Sequence, residues 1–164
     1  MTMNLEPIGI IHTPFLKIAD MPIQPTGAVG VCGHIDLRPD LAAGLRDLTG
    51  FSHIILLYQF HQASAMRLIV TPFLDPEPRG VFATRAPCRP NPIGLSIVKL
   101  MEINGCRLDI QNIDVLDGTP LLDIKPYVPA FDRPEGEIRT GWCRRTADDL
   151  AQVRSDHRFG KDAG

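Results

Sequence analysis

Prolines and glycines recur so often along this chain that long helices are disfavoured throughout. The 164 residues include 15 prolines and 14 glycines. Proline removes an amide donor and clashes with the preceding helical turn, and glycine carries a high backbone entropy cost in a helix. Short strands joined by tight turns remain compatible with this distribution, so the composition favours a mainly β fold.

Apolar segments of strand length follow one another at short spacing. The run FSHIILLYQF at residues 51–60 predicts a strand buried on both faces, and a longer strand is predicted from Ile93 to Ile103. Asn104-Gly105 then predicts a two-residue hairpin turn, with the chain returning antiparallel from Cys106. Because helices do not alternate with these strands, we predict a small closed or nearly closed β-barrel and not a Rossmann-type sheet.

One or two short helices complete the predicted fold. Pro39 at a first helical position, three leucines at helical spacing and Gly50 as a stop predict an α-helix of about three turns. Thr146 and Asp149 form a capping pattern at the start of a C-terminal helix. Further short strands are expected at residues 5–12, 29–35, 67–73 and 80–84.

The charge and composition of the chain argue against several classes of protein, among them strongly basic nucleic-acid-binding proteins, membrane proteins and cysteine-based metal proteins. The net charge of -2 provides no general attraction for phosphate backbones, so nucleic-acid contact would need a local basic patch. The sequence contains neither a leader peptide pattern nor an apolar run of about 18 residues, so we expect a soluble cytoplasmic protein. The four cysteines form no CxxC pair, so we expect free thiols and no metal site.

Common catalytic motifs are missing from the sequence. It contains no GxGxxG, no Walker loop, no HExxH helix and no GxSxG elbow. A dinucleotide-type cofactor site, a phosphate-binding loop, a zinc protease site and a serine hydrolase site are therefore not predicted. Any site has to be assembled from loops.

The segment RGVFATRAPCRPNPIGLS at residues 79–96 is the first candidate for such a loop. Pro87, Pro90 and Pro92 fix the backbone, so little entropy is lost when Arg85 and Arg89 engage an anion or a ribose edge. The alternative is a structural loop with two solvated arginines. Local sequence alone leaves both interpretations open.

Two further candidates lie at strand ends. Asp117-Gly118 offers a tight turn with exposed amides, and the hydroxyl of Thr119 follows it, a combination that can hold an adenine edge or a ribose. The alternative is a set of ordinary turn and strand-edge carboxylates at Asp114, Asp117 and Asp123. His61-Gln62 closes the predicted buried strand and could face a barrel mouth, although a lone histidine is more often satisfied structurally.

Five ordered motifs carry a family resemblance. They are PIGIIHTPF, MPIQP, FSHIILLYQFHQ, GVFATRAPCRPNPIGLSIV and DVLDGTPLLDIKPYVPAFD, and together they span roughly residues 5–132. In these motifs the chain resembles the TsaA/TrmO family, earlier grouped as YaeB-like and VirR-like proteins. The resemblance implies a β-barrel methyltransferase domain at residues 1–132 and a C-terminal extension with a short helix at 133–164. Longer bacterial relatives carry a further C-terminal domain, which we do not expect in this chain.

The resemblance also implies an activity. It implies a homodimer that uses S-adenosylmethionine to methylate N6 of N6-threonylcarbamoyladenosine beside the tRNA anticodon, with His61 or Asp117 as a base. Exposed apolar residues such as Met21 and Phe131 agree with a dimer. Alternatives are another methyl acceptor, or a barrel that binds nucleotide or RNA without catalysis. The implied cofactor residues are Ile23, Gln24, Pro25, His61, Gln62, Arg85, Leu95, Leu116, Asp117, Gly118 and Thr119, and the implied acceptor residues are Arg89, Asp123, Lys125 and Tyr127.

Overall fold

Six antiparallel strands close into a barrel. The structure is a computed structural model that describes residues 4–19, 21–144 and 146–160. Neighbouring strands follow the order β1-β2-β7-β6-β3-β8, and β8 pairs with β1 to complete the circle, while β4 and β5 form a separate pair. This confirms the predicted barrel. The strands are β1 Gly9–His12, β2 Cys32–Leu37, β3 His53–Gln59, β4 Ile69–Val70, β5 Arg79–Gly80, β6 Ile93–Asn104, β7 Arg107–Gln111 and β8 Thr119–Pro126.

The inside of the barrel is filled by every second residue of each strand. In β3 the buried residues are Ile54, Leu56 and Tyr58, and the residues between them are partly exposed. The expectation of a strand buried on both faces is therefore wrong. A closed barrel has a single interior, so alternate side chains point outward even in a strand as apolar as this one.

The hairpin between β6 and β7 is present, but its turn lies one residue later than predicted. Asn104 still pairs with Arg107, so the two turn residues are Gly105 and Cys106. Gly105 has a positive φ of 60°. Glycine at the first central position is the arrangement of a type II′ turn, which matches the twist of the flanking strands.

The helical segments are shorter and tighter than predicted. Two 3-10 helices, Pro39–Leu45 and Leu48–Gly50, replace the expected three-turn α-helix, and Asp47 between them has a φ of 65°. The left-handed residue breaks the helix, yet Leu48 is buried against the barrel core. The α-helices are α1 Pro129–Asp132 and α2 Ala147–Gln152, and the other 3-10 helices are Pro25–Gly27, Val81–Ala83 and His157–Phe159.

The C-terminal helix begins with the predicted cap. The backbone N–H of Asp149 donates to Thr146 Oγ1 at 3.2 Å, and the N–H of Thr146 donates to Asp149 Oδ2 at 2.9 Å. These are the reciprocal bonds of a capping box, with aspartate in the acidic position. None of the helices in the described part of the chain has the length and hydrophobicity that a membrane-spanning helix requires.

The segment between β3 and β6 is mostly irregular. The strands expected at 67–73 and 80–84 shrink to the two-residue strands β4 and β5. Pro72 and Pro78 lie in this segment and cannot donate ladder hydrogen bonds, which explains why the pairing is so short. A second small core of Val70, Val81, Ala86, Cys88 and Phe159 holds the segment together.

Candidate active site

A pocket of about 820 Å³ opens where the irregular segment meets one end of the barrel. Its volume lies in the range typical of small-molecule sites, and most of the side chains around it are apolar. The barrel contributes the end of β3, the start of β6 and the loop before β8. The other walls come from Ile18 and Met21–Gln24, from Pro72–Leu74, Phe82–Pro87 and Arg89, and from Trp142, Cys143, Ser155 and Phe159 of the tail.

The pocket brings together many of the residues singled out in the sequence. The predicted cofactor residues that line it are Ile23, Gln24, His61, Gln62, Arg85, Leu95, Leu116 and Thr119, and Arg89 lines it as well. The predicted residues that do not line it are Pro25, Asp117, Gly118, Asp123, Lys125 and Tyr127.

Arg85 links two walls of the pocket. Its Nη1 donates to Gln24 Oε1 at 3.1 Å, which joins the proline-rich loop to the segment before β2. Burial raises the pKa of Asp114, and the positive charge of Arg85 makes the smallest of the contributions that oppose this rise. The arginine therefore provides a fixed positive charge at a mainly apolar surface.

A buried chain of hydroxyls ends at a carboxylate of the pocket. Ser96 Oγ donates to Asp114 Oδ1 at 2.6 Å, and Tyr58 Oη lies 3.0 Å from Ser96 Oγ. Because Ser96 has a single hydroxyl hydrogen, Tyr58 has to be the donor to Ser96. The side chains of Ser96 and Tyr58 are almost completely buried. The three residues form a hydrogen-bonded relay from the barrel interior to the pocket.

The protonation of Asp114 is shifted by this environment. Burial raises the pKa of Asp114 to about 6, and the hydrogen bond from Ser96 opposes that rise only in part. Burial, with a further contribution from the charge of Asp114, also raises the pKa of Tyr58. A carboxyl with a pKa of about 6 can exchange a proton near neutral pH.

The sequence contained a signal for this relay. Ser96 occupies an inward position of β6, where Val98 and Leu100 follow it at a spacing of two. A hydroxyl on the inward face of an apolar strand needs a partner, since an unpaired buried polar group is costly. That pattern alone could have directed attention to Tyr58, which lies two residues from the Leu56 that pairs with Ser96 in the neighbouring strand.

Asp117 lies outside the pocket, beside β1. Its Oδ1 accepts the backbone N–H of Thr13 at 3.0 Å and lies 3.2 Å from His12 Nδ1. The Thr13 hydrogen bond lowers the pKa of Asp117, desolvation opposes this effect in part, and the contact with His12 lowers the pKa further. A carboxylate with a lowered pKa is a weaker base than Asp114.

The residues predicted to face the acceptor lie in several places. Asp123 Oδ2 pairs with Lys125 Nζ at 2.7 Å on the outside of β8, and the backbone of Tyr127 donates to His53 O. Asp123 instead borders a second groove beside the 3-10 helices Pro39–Leu45 and Leu48–Gly50, although it follows the pocket residue Thr119 by only four positions. Of this group, Arg89 alone lines the pocket.

Arg89 organises the pocket wall with a single nitrogen. Nη1 donates to the carbonyl oxygens of Val81, Thr84 and Ala86 at 3.1, 2.8 and 3.3 Å. The guanidinium also lies over the ring of Phe82, 5.8 Å from its centroid. Its contacts therefore fix the backbone of the irregular segment.

The C-terminal tail forms part of the pocket, which the sequence did not predict. Trp142 Nε1 donates to Ala83 O at 2.7 Å, and the backbone N–H of Ser155 donates to Met21 O at 2.8 Å. Phe159 is buried and meets Phe73 edge to face at 5.1 Å between centroids. The single tryptophan and a phenylalanine in an otherwise polar tail were the available signal.

The barrel sequence matches a known protein family. Residues 10–133 match the family model described as the tRNA-methyltransferase O N-terminal domain. A probable S-adenosyl-L-methionine-binding protein of Pyrococcus abyssi is 52% identical over 154 residues, which cover 94% of this chain and 83% of that relative.

More distant relatives have more specific names. A tRNA (adenine(37)-N6)-methyltransferase of Mus musculus is 35% identical over 141 residues, which cover 79% of this chain and 32% of the mouse protein. The crystal structure of TrmO from Pseudomonas aeruginosa superposes with a TM-score of 0.72 at 42% identity. That match covers 87% of this chain and 63% of the solved chain, so the present chain spans less than two thirds of that protein.

Proposed function

Because the chain belongs to the family of tRNA-methyltransferase O N-terminal domains, we propose that it is an S-adenosylmethionine-dependent methyltransferase acting on N6 of N6-threonylcarbamoyladenosine beside the tRNA anticodon. One observation carries the proposal: eight residues implied as cofactor ligands by the sequence resemblance line a single pocket. The names of the archaeal and mouse relatives support the cofactor and the acceptor respectively.

The chemistry of the pocket fits the cofactor. S-adenosylmethionine supplies, when bound, a transferable methyl group on a positively charged sulfur. Asp114 is the one carboxylate among the described residues that line the pocket, and its negative charge suits a neighbouring cation. Arg85 suits a carboxylate, since its planar guanidinium can donate two parallel hydrogen bonds. We assign the nucleoside part to the loop of Leu116 and Thr119.

The acceptor nitrogen imposes a requirement for a base. A carbonyl group on that nitrogen delocalises its lone pair, so its proton has to leave as the methyl group arrives. His61 and Asp114 line the pocket, and we propose that one of them accepts this proton. Asp117, the other candidate from the sequence, binds the N–H of Thr13 outside the pocket. Alignment of nitrogen and methyl by the pocket walls can contribute about 7 to 11 kcal/mol.

Binding of tRNA has to rely on local contacts. The net charge of -2 gives no general attraction for the phosphate backbone. Arg139 and Arg144 are exposed in the tail that forms one pocket wall, and Arg85 lies at the pocket itself. Arg145, the third arginine of this basic edge, lies outside the described residues. We propose that the tail and the barrel act together on the anticodon arm, in the cytoplasm.

An apolar row on the outside of β6 supports a homodimer. Ile93, Leu95, Ile97 and Met101 are between 38% and 51% exposed and alternate with buried residues along the strand. Leu95 also lines the pocket, so a second copy over this row would lie at the pocket edge. Chromatography with light scattering should give a dimer mass, and Ile97→Asp should give a monomer. A wild-type protein that is monomeric at every concentration contradicts the dimer.

Transfer of labelled methyl groups tests the activity. Matched tRNAs with and without the threonylcarbamoyl group are offered with labelled S-adenosylmethionine, and we expect label on the modified tRNA alone. Cofactor binding is followed separately by the melting temperature. S-adenosylmethionine at a hundredfold excess over its Kd should raise the free energy of unfolding by about 2.7 kcal/mol, which raises the melting temperature.

The outcomes separate the three interpretations. A thermal shift without label on either tRNA would replace the tRNA acceptor by a different methyl acceptor. Neither shift nor label would favour a non-catalytic nucleotide or RNA-binding barrel. Asp114→Asn keeps nearly the same shape; it should transfer methyl groups slowly if Asp114 is the base, and it should also bind the cofactor more weakly if the carboxylate lies beside the positive sulfur.

A further inference from the structure

Two histidines stack on the outer surface of the barrel, away from the pocket. His12 ends β1, and His34 lies directly opposite it in β2. Their ring centroids are 4.8 Å apart with an angle of 26° between the ring planes. Both side chains are partly exposed, so ions in solution can reach them.

Asp36 completes the group. It lies two residues after His34, so its carboxylate projects from the same face of β2. Asp36 Oδ2 is 3.6 Å from His12 Nε2 and 3.7 Å from His34 Nε2, and the three ligand atoms all lie within 4.8 Å of one another. Nitrogen and oxygen ligands of tetrahedral zinc lie about 3.3 to 3.6 Å apart, given their bond lengths. The group therefore has nearly the spacing of a metal site.

A second carboxylate orients His12. His12 Nδ1 lies 3.2 Å from Asp117 Oδ1, within reach of a hydrogen bond that places the ring proton on Nδ1. The lone pair then resides on Nε2, which faces Asp36. A histidine that binds a metal through one nitrogen commonly donates the other N–H to a carboxylate, which fixes the tautomer and the ring orientation.

The backbone holds this arrangement in place. A Cβ at Gly33 would lie 2.6 Å from the carbonyl oxygen of His12, so the glycine permits the close approach of the two strands. Asp117 is fixed in turn by the N–H of Thr13 at 3.0 Å. Both supports lie in the barrel or directly beside it, so the histidines are positioned before any ion binds.

We propose that His12, His34 and Asp36 bind a divalent transition-metal ion of the zinc class, with Asp117 as the outer partner of His12. Two imidazoles and one carboxylate are ligands that zinc, cobalt and nickel accept, and the remaining coordination positions are left to water. A lone pair of His12 and an oxygen of Asp36 face each other at a distance too long for a hydrogen bond, and a cation between them removes their repulsion. None of the three ligands lines the pocket.

Metal titration of the purified 164-residue protein tests the site. After treatment with a chelator and its removal by dialysis, zinc is titrated by calorimetry at pH 7.5, and cobalt binding is followed by visible absorption. We expect one ion per chain, cobalt bands of low-symmetry coordination and a higher melting temperature with zinc. Asp117→Asn should weaken zinc binding about 10- to 100-fold, since the outer carboxylate no longer supports His12.

Three variants make the result specific. His34→Ala should lose the binding, whereas His53→Ala should keep it, because His53 lies on β3 and contacts Ser52 instead. Cys32→Ser should also keep it, which excludes the exposed thiol of β2 as the ligand. Absence of one-to-one binding in the wild type, or equal binding in a folded His34→Ala, overturns the proposal. A proton shared between His12 and Asp36 would give the first of these results.

Discussion

The inside of the barrel and the loop wall of the pocket, residues 67–89 together with Phe159, both bury apolar side chains but hold their shape differently. In the barrel each strand is hydrogen-bonded to two neighbours, and Ile11, Ile54 and Leu121 have no exposed surface. The loop wall has one pair of two-residue strands, and its other support comes from isolated backbone hydrogen bonds, such as Arg67 N–H to Cys88 O, and from side chains. Arg67 Nη2, for example, donates to the carbonyl oxygen of Arg158 in the tail at 2.9 Å.

This difference separates stability from binding. The closed ladder and the filled interior should determine the free energy of global unfolding. The wall has few backbone ladder bonds and a small core, so it can open locally while the barrel stays folded. The relay of Tyr58, Ser96 and Asp114 lies at the junction, with its hydroxyls in the barrel and its carboxylate in the pocket.

The largest effect is expected inside the barrel. Ile54→Ala should lower the free energy of unfolding by about 2 to 5 kcal/mol, because the methyl groups removed leave a cavity among residues without exposed surface. Ile69→Ala is the matched control in the loop wall, where the side chain is 63% exposed. Urea unfolding measures both, and equal losses would contradict the assignment of stability to the barrel.

The second effect is the pH dependence of stability caused by Asp114, which lies at the junction of the barrel and the pocket wall. The pKa of Asp114 rises from 3.8 to about 6 on folding, so the folded state binds the proton more tightly and stability falls as pH rises between these values. The difference corresponds to at most about 3 kcal/mol. Asp114→Asn removes this contribution.

The measurement is urea unfolding of the wild type and of Asp114→Asn from pH 4 to pH 7. The stability of the wild type relative to the variant should fall by up to about 3 kcal/mol across this range. Carboxyls whose pKa is lowered, such as Asp117 and Asp156, are present in both proteins and cancel in the comparison. A constant difference would mean that Asp114 is solvated like an ordinary carboxyl.

The third effect is a change in cofactor affinity that leaves the stability of the protein unchanged. Arg85→Ala should weaken S-adenosylmethionine by about 1.5 to 3 kcal/mol if the arginine pairs with a charged group of the cofactor. The unfolding free energy should change little, because the side chain is exposed. Arg107→Ala, which removes an arginine paired with Asp109 on β7, is the control by calorimetry. Equal affinities in the two variants would remove Arg85 from the site.

The smallest of the expected effects is local and concerns Phe159. Phe159→Ala should raise hydrogen exchange in the wall about tenfold, equivalent to 1.4 kcal/mol of local opening, because the core of the wall loses its largest member. The amides of β3 and β7 should exchange as in the wild type. If the barrel amides change to the same extent, the wall and the barrel unfold as one unit and the comparison fails.

The sequence predicted best what depends on alternation and turns. Residues 93–103 gave β6 almost to the residue, and Asn104-Gly105 gave the hairpin within one position. Between Pro39 and Gly50 the spacing of leucines was helical, but the left-handed Asp47 breaks the segment into two 3-10 helices. The spacing of apolar side chains indicates which face of a segment is buried. It does not indicate where the backbone departs from a regular helix.

The candidate site was predictable where its residues lie in the motifs of the resemblance. Arg85, His61 and Thr119 line the same pocket, although whether they bind the cofactor remains a prediction. The relay of Asp114 and the histidine pair were missed because they depend on strand register, which joins Tyr58 to Ser96 and His12 to His34 across long separations. The boundary at residue 132 also remains a prediction, and the tail beyond it contributes to the pocket.

The three carbonyl oxygens held by Arg89 have a consequence for how this pocket can diversify. The arginine reads only the backbone of Val81, Thr84 and Ala86, so the side chains at these positions are not constrained by the contact itself. Substitutions at exposed positions of the segment can therefore alter the surface offered to a ligand while the course of the chain is preserved, whereas Val81 and Ala86 are still constrained by the core of the wall. Arg89 itself has less freedom, because lysine lacks the planar guanidinium that lies over the ring of Phe82. A side chain that holds only backbone atoms would thus leave the neighbouring side chains free to change.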